Sequence, residues 1–175
     1  LGDSSFSGCS SLVSIELDDA ITTIERLAFC NCSSLKSITL PSKLKKLGYS
    51  FIANTQISSL TIPAGLTYCA TGGSSSDTMF GPLGDANTLK ELILEPGMEC
   101  IPDNLALVKS VSNTHLTSVS IPDSVTSIEY RAFKNCSKLQ QISLPDGLTT
   151  IGEGAFYSCS GLEQITFPEG LTSMG

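Results

Sequence analysis

The chain has no tryptophan, a single histidine and few charges, with Asp, Glu, Lys and Arg making up 15% of its 175 residues. Each shortage excludes something. With one histidine, no Ser-His-Asp or Cys-His arrangement is available except around His115. That residue sits in a connection, and a general base needs a third group to orient it. The formal net charge is −7, so the chain lacks the Lys/Arg surface that phosphate neutralisation requires, and no nucleic-acid partner is expected. No apolar run approaches the ~18 residues of a membrane span, and no basic start followed by an apolar stretch marks a signal peptide in this segment. Metal-binding patterns are missing too. There is no C-x-x-C pair and no acidic calcium loop, although acids crowd residues 77–103. Gly72-Gly73 lacks the Lys and helix of a phosphate cradle. Glu91 and Glu95, placed on one strand, stand ~13 Å apart, beyond the roughly 5–9.5 Å of a glycosidase pair. No catalytic residue, metal or cofactor is expected, and the chain does not read as an enzyme.

What the chain has is a repeat. Apolar residues make up 41% of it, which argues against disorder. A pattern L-x-x-I-x-L-P-x-x-L-x-x-I recurs with its first position at Leu12, Leu35, Ile57, Leu89, Leu116, Leu139 and Leu162. The third and fifth residues after each of these anchors are apolar, as in Ile15/Leu17, Ile38/Leu40 and Ile142/Leu144. Their alternation with polar residues predicts a short strand with one buried face. Pro41, Pro63, Pro122, Pro145 and Pro168 close five of the strands, since proline cannot donate to a ladder. A second apolar pair follows (Leu44/Leu47, Val125/Ile128, Leu148/Ile151), then Ala-Phe (Ala28-Phe29, Ala132-Phe133, Ala155-Phe156). Three residues before an anchor stands a cysteine: Cys9, Cys32, Cys136 and Cys159. These four are expected inside, as small apolar ladder residues. Cys69 takes a core slot, and Cys30 and Cys100 fall at outward slots as the reactive candidates.

One such unit cannot bury its own apolar face, and stacking removes that limit. Strands of neighbouring units pair in parallel about 4.8 Å apart, so seven span roughly 29 Å. Leu1-Gly2 and Met174-Gly175 occupy the same slot of the unit. Both ends are therefore expected to expose apolar cross-sections, as in a piece of a longer array or a domain whose caps lie elsewhere.

With its in-phase Cys, Pro and Ala-Phe, the chain resembles the BspA-like class of leucine-rich repeats over nearly all of residues 1–175. The resemblance implies a leucine-rich-repeat solenoid, a right-handed curved superhelix. It places a parallel β-sheet on the concave face, with turns and short helices on the convex side. It also implies a surface-exposed or secreted protein, and adhesion to host proteins or other microbes.

The repeat is broken at two insertions, 70–88 and 102–115. Units three to five lack the cysteine, reading Asn54, Ala86 and Asn113 at that position. The first insertion is glycine- and serine-rich and carries Met79 and Phe80, either tucked back onto the solenoid or forming a contact tip. In the second, Leu105, Val108 and Val111 behind Asp103 and Asn104 predict a short helix. Along the strands, outward positions are mostly Ser, Thr, Gln or Pro, but unit four shows Glu91, Ile93 and Glu95, and unit one Ser14, Glu16 and Asp18. An outward aliphatic between carboxylates has the form of an interface anchor with a polar rim, unless the 70–88 loop covers it. The candidate binding residues are Glu16, Asp18, Glu91, Ile93, Glu95, Met79 and Phe80.

Two functions follow. The first is a binding module that meets a protein or glycan ligand, such as a host extracellular protein, on its concave face. The second is a spacer that holds another domain away from a surface. Uniform repeats favour the spacer, and the insertions favour binding. The register has its own test. Leu144→Ala is expected to destabilise the fold by ~2–5 kcal/mol in chemical denaturation, as a buried ladder position does, and wild-type stability would refute the register.

Overall fold

The computed structural model describes residues 1–73, 80–108 and 115–175. They form a parallel-strand β-solenoid. The strand after each anchor builds one ladder: β1 (Ser14–Glu16), β3 (Ser37–Thr39), β5 (Ser59–Ile62), β7 (Glu91–Leu94) and β9 (Ser118–Ser120). β1 pairs β3, and β5, β7 and β9 pair in order, all parallel. A parallel bridge between Gln141 and Gln164 carries the row on. The register is the one the repeat dictates, with Ile15 opposite Ile38, and Leu60 opposite Leu92 and then Val119.

A second parallel ladder, formed at the second apolar pair of each unit, is made of two-residue strands. They are β2 (Thr23–Ile24), β4 (Lys46–Leu47), β6 (Tyr68–Cys69), β8 (Cys100–Ile101), β10 (Ser127–Ile128), β11 (Thr150–Ile151) and β12 (Ser173–Met174). β2, β4 and β6 form one sheet, and β8, β10, β11 and β12 another. Each rung from β2 to β11 points one residue outward and one apolar residue inward, whereas Met174 of β12 is exposed. Ile24, Leu47, Ile101 and Ile128 are completely buried.

The coil closes through a turn with two residues at positive φ: Leu27 and Asn31, Ser50 and Asn54, Arg131 and Asn135. Asparagine tolerates this conformation, whereas Leu27 and Arg131 are held there at a cost of about 1–2 kcal/mol each. What holds them is backbone pairing with the next coil. Leu27, Phe29 and Asn31 N–H groups donate to the Tyr49, Phe51 and Ala53 carbonyls, and Arg131, Phe133 and Asn135 to those of Glu153, Ala155 and Tyr157. The turn's apolar residues stack, Phe6 on Phe29 at 5.3 Å and Phe133 on Phe156 at 5.5 Å between ring centres.

The turn corrects the expected convex helix. No helix lies among the described residues, and 103–106 form a turn instead. Asn104 has φ 59°, incompatible with a helix. Leu105 and Ala106 occupy the Ala-Phe slots, and the Ala106 N–H donates to the Ala132 carbonyl at 2.8 Å. The spacing of Leu105 and Val108 was thus turn packing rather than a helical face. Val111 lies outside the described residues.

Asn54 is likewise not in the cysteine slot. It follows Asn31 in the turn, its Nδ2 donating to Asn31 Oδ1 at 2.9 Å, and buried Thr55 takes the slot. Cys9 is exposed, because no coil of this chain stacks on its other side. Leu144 is only half-buried, since one coil rather than several follows it here, whereas Leu148 is fully buried. The Leu144→Ala loss therefore belongs at the low end of its range.

Coils lie close together where glycine follows the second-ladder strand. A Cβ on Gly152 would stand 2.7 Å from the Glu129 carbonyl carbon and the Tyr130 nitrogen, both rigid backbone. Gly152→Ala is predicted to lower stability by ~1–3 kcal/mol, read from the urea midpoint, and an unchanged midpoint would mean that the coils are further apart than described.

Candidate functional site

The anchor-strand ladder orients the candidate residues of β7. Leu92 and Leu94 point into the core, so Glu91 and Ile93 must point out. Ile93 stands between Thr61 and Ser120 in the register, a half-buried aliphatic in a hydroxyl-bearing row. Glu91 accepts a hydrogen bond from Ser59 Oγ at 2.8 Å, and Glu95 from the Ala64 N–H at 3.2 Å. Glu16 is exposed in the same row, level with Thr39, and Asp18 turns back to accept the Ala20 N–H at 2.7 Å. Three rungs separate Glu16 from Ile93, about 14 Å at the usual strand spacing.

Phe80 lies elsewhere. It forms an antiparallel bridge with Gly72 and packs edge-on against Tyr49 at 5.5 Å, beyond the second ladder. This is the tucked-back arrangement, and it leaves Phe80 away from the strand that carries Ile93. Met79 lies outside the described residues. The candidate set therefore divides between the anchor-strand face and the corner at Tyr49.

Several acids, Asp85 and Asp103 of the 77–103 cluster among them, have a structural task that sequence reasoning missed. Asp3 meets Arg26, Glu25 meets Lys46, Asp85 accepts from Ser50 Oγ, and Asp19 and Asp103 accept the Ser42 and Tyr130 N–H groups. Each bond joins one coil to the next. Their recurrence about one repeat length apart was the available signal.

The cysteines are free thiols. Cys32, Cys136 and Cys159 donate to carbonyls one coil away, those of Phe6, Ala106 and Phe133. Burial pushes the Cys69 and Cys136 thiols far up and raises Cys159 to about 11. At the outward candidates, desolvation followed by Asp85 raises Cys30, and desolvation with Glu129 alongside raises Cys100. Both are therefore weaker nucleophiles than a free thiol at neutral pH.

Two open spaces of about 680 Å³ each border the last coil, one of them among Phe156, Ile165, Phe167 and Met174. A smaller cleft of about 380 Å³ opens in the middle of the second ladder, between Thr67, Tyr68, Cys69 and Thr71 on one wall and Cys100, Pro102, Asp103 and Asn104 on the other. No helix among the described residues is long and apolar enough to cross a membrane.

The thiol shifts carry a sign. A buried thiol with a raised pKa resists ionisation in the folded state, while the unfolded thiol ionises near 8.5. Stability is predicted to be flat below about pH 8.5 and to fall as pH rises from there through 11. Urea unfolding at pH 7.5 and pH 10 tests this, with Cys159→Ala expected to show the smaller decline. Equal stability at both values would contradict the burial of these thiols.

Comparison with known proteins accords with this architecture. A family profile described as BspA type leucine rich repeat region, in six copies, matches residues 1–73 and 108–175. Among solved structures, a leucine-rich repeat protein from Bacteroides ovatus is 27% identical with a TM-score of 0.60, over 96% of this chain and 46% of its own. A leucine rich cell surface protein from Faecalibacterium prausnitzii is 30% identical with a TM-score of 0.55, over 89% and 38%. The T. pallidum leucine rich repeat protein, at 22% identity and a TM-score of 0.64 over 93% and 70%, shares the fold. Comparison with curated proteins gave no match. The chain spans less than half the length of the first two of these structures. On the profile match, which takes in both ends of the solenoid, the chain belongs to the BspA-type leucine-rich-repeat family.

Proposed function

We propose that the chain is a non-catalytic binding module of a cell-surface or secreted protein, acting in adhesion by recognising a protein or glycan on its anchor-strand face. The observation that carries this reading is the outward row of β5, β7 and β9. Ile93 stands there between Thr61 and Ser120, with Glu91 on the same strand and Glu95 just after it. A half-buried aliphatic in a row of hydroxyls offers a desolvated anchor, and the surrounding Ser and Thr supply hydrogen bonds. Glu91 and Glu95 are held by Ser59 and Ala64, so they offer their remaining acceptor positions in fixed directions. Glu16 and Asp18 extend the acidic rim. The surface location is supported by the cell-surface relative from F. prausnitzii. The absence of an oriented histidine pair or a close carboxylate pair in the sequence supports a non-enzymatic role.

The test is a binding screen of the purified chain against host extracellular-matrix proteins and glycans, with Ile93→Asp alongside. The account predicts that Ile93→Asp melts cooperatively like the parent and loses binding by at least tenfold. Binding unchanged by the substitution would move the site off this face, and no binding by a folded chain would favour the spacer.

A further inference from the structure

The second ladder is broken once, and the break has a chemical cause. In an ordinary rung, the residue that follows a second-ladder strand donates its N–H to the preceding coil. Gly48 donates to Ile24, Ala70 to Leu47, Glu129 to Ile101 and Gly152 to Ile128. After β8 that residue is Pro102, which has no N–H. Among the described residues the Cys69 carbonyl is therefore left without its ladder partner. The neighbouring groups are left too. The Thr67 carbonyl and Cys69 N–H on one wall, and the Cys100 N–H and carbonyl on the other, pair with nothing among the described residues. No Cα of β6 lies within 8 Å of a Cα of β8. Adjacent strands sit about 4.8 Å apart, and a site for one missing strand measures roughly 9.6 Å. A third observation marks the end of this cleft. Asn104 is 8% exposed and lines it, and its Oδ1 is buried with no hydrogen-bond partner among the described residues.

The geometry points to a second binding site in which an extended peptide of a partner protein inserts between β6 and β8, parallel to both, and completes the ladder. This site is separate from the anchor-strand face and does not depend on it. The peptide residue level with Tyr68 and Cys100 donates to the Thr67 carbonyl and accepts from the Cys69 N–H. The residue before it accepts from the Cys100 N–H. The residue after it donates to the Cys100 carbonyl, and the one beyond that to the Cys69 carbonyl. All the orphaned groups are thereby satisfied, which is the chemistry of strand addition to a sheet edge. Side-chain selectivity follows from the same register. The residue level with Cys69 and Ile101 points into a buried row and is apolar. Two residues later the peptide runs level with Asp103. There Asp103, Glu129 and the unpaired Asn104 Oδ1 favour a basic side chain. The partner segment is proline-free and extended, with an apolar residue followed two positions on by Lys or Arg.

The probe is the peptide acetyl-Thr-Thr-Ile-Ser-Arg-amide, titrated into the isotope-labelled full chain and followed by NMR. The expected result is a saturable shift of amides in residues 67–71 and 100–104, with a Kd below about 1 mM. Exchange of the Cys69 and Cys100 amides is expected to be fast in the free chain and slowed at saturation. The same peptide N-methylated at isoleucine loses the donor to the Cys100 carbonyl and is expected to bind at least tenfold more weakly. Glu129→Gln is expected to weaken the arginine peptide several-fold and to leave an Arg-to-Ser peptide unaffected. Equal binding of the N-methylated peptide, absence of a saturable shift, or shifts confined to the Ile93 strand would overturn the proposal. Protection of both amides in the free chain would overturn it as well, because the cleft would then already be closed or filled.

Discussion

The backbone hydrogen bond from one coil to the next is the constraint on which everything else rests. Each coil gives N–H groups from its strands and its turn to carbonyls one repeat away, in three stacked rows around the solenoid. Because all three rows must register at once, the repeat length can change only by looping residues out between rows. The described ends of the 70–88 insertion fit this rule. Ala70 still bonds to the second ladder after β6, and Gly81 stands in the turn row, its N–H donating to the Leu107 carbonyl. The same constraint holds Leu27 and Arg131 at positive φ and brings the Gly152 backbone against Glu129.

Side chains reinforce this register. Threonine hydroxyls at 126, 149 and 172 donate to carbonyls at 99, 126 and 149 in the coil before. Asn87, Asn54 and Asn31 pass amide hydrogen bonds along the turn row, and carboxylates bind the coils at their corners. Much of the acidic surplus is thus engaged within the solenoid rather than left free on its surface.

Much of the fold was legible because it rests on local pattern. Alternation placed Leu92 inside and Ile93 outside, proline closed the strands, and the in-phase anchors set the strand register. What escaped notice depended on neighbouring coils. A Leu-Val spacing of three reads as a helix until Asn104 is seen at positive φ, where stacking on Arg131 puts it. Asn54 was assigned to the cysteine slot because its unit is one residue short, and only its bond to Asn31 shows which residue was deleted. The candidate site was legible where it followed from strand alternation, as at Glu91 and Ile93. Phe80 was not, because its position depends on Tyr49, a partner distant in sequence. The cleft at Pro102 was also hidden, since a proline there looks like every other strand-closing proline until its missing N–H is matched to the Cys69 carbonyl.

The account stands on coil-to-coil register, and cross-strand nuclear Overhauser contacts test that register most directly. The predicted contacts join Ile15 to Ile38, Leu60 to Leu92 and Ile128 to Ile151, with none between Tyr68 and Cys100. Contacts displaced by one residue would turn every inward side chain outward and contradict both the assigned faces and the sites built on them.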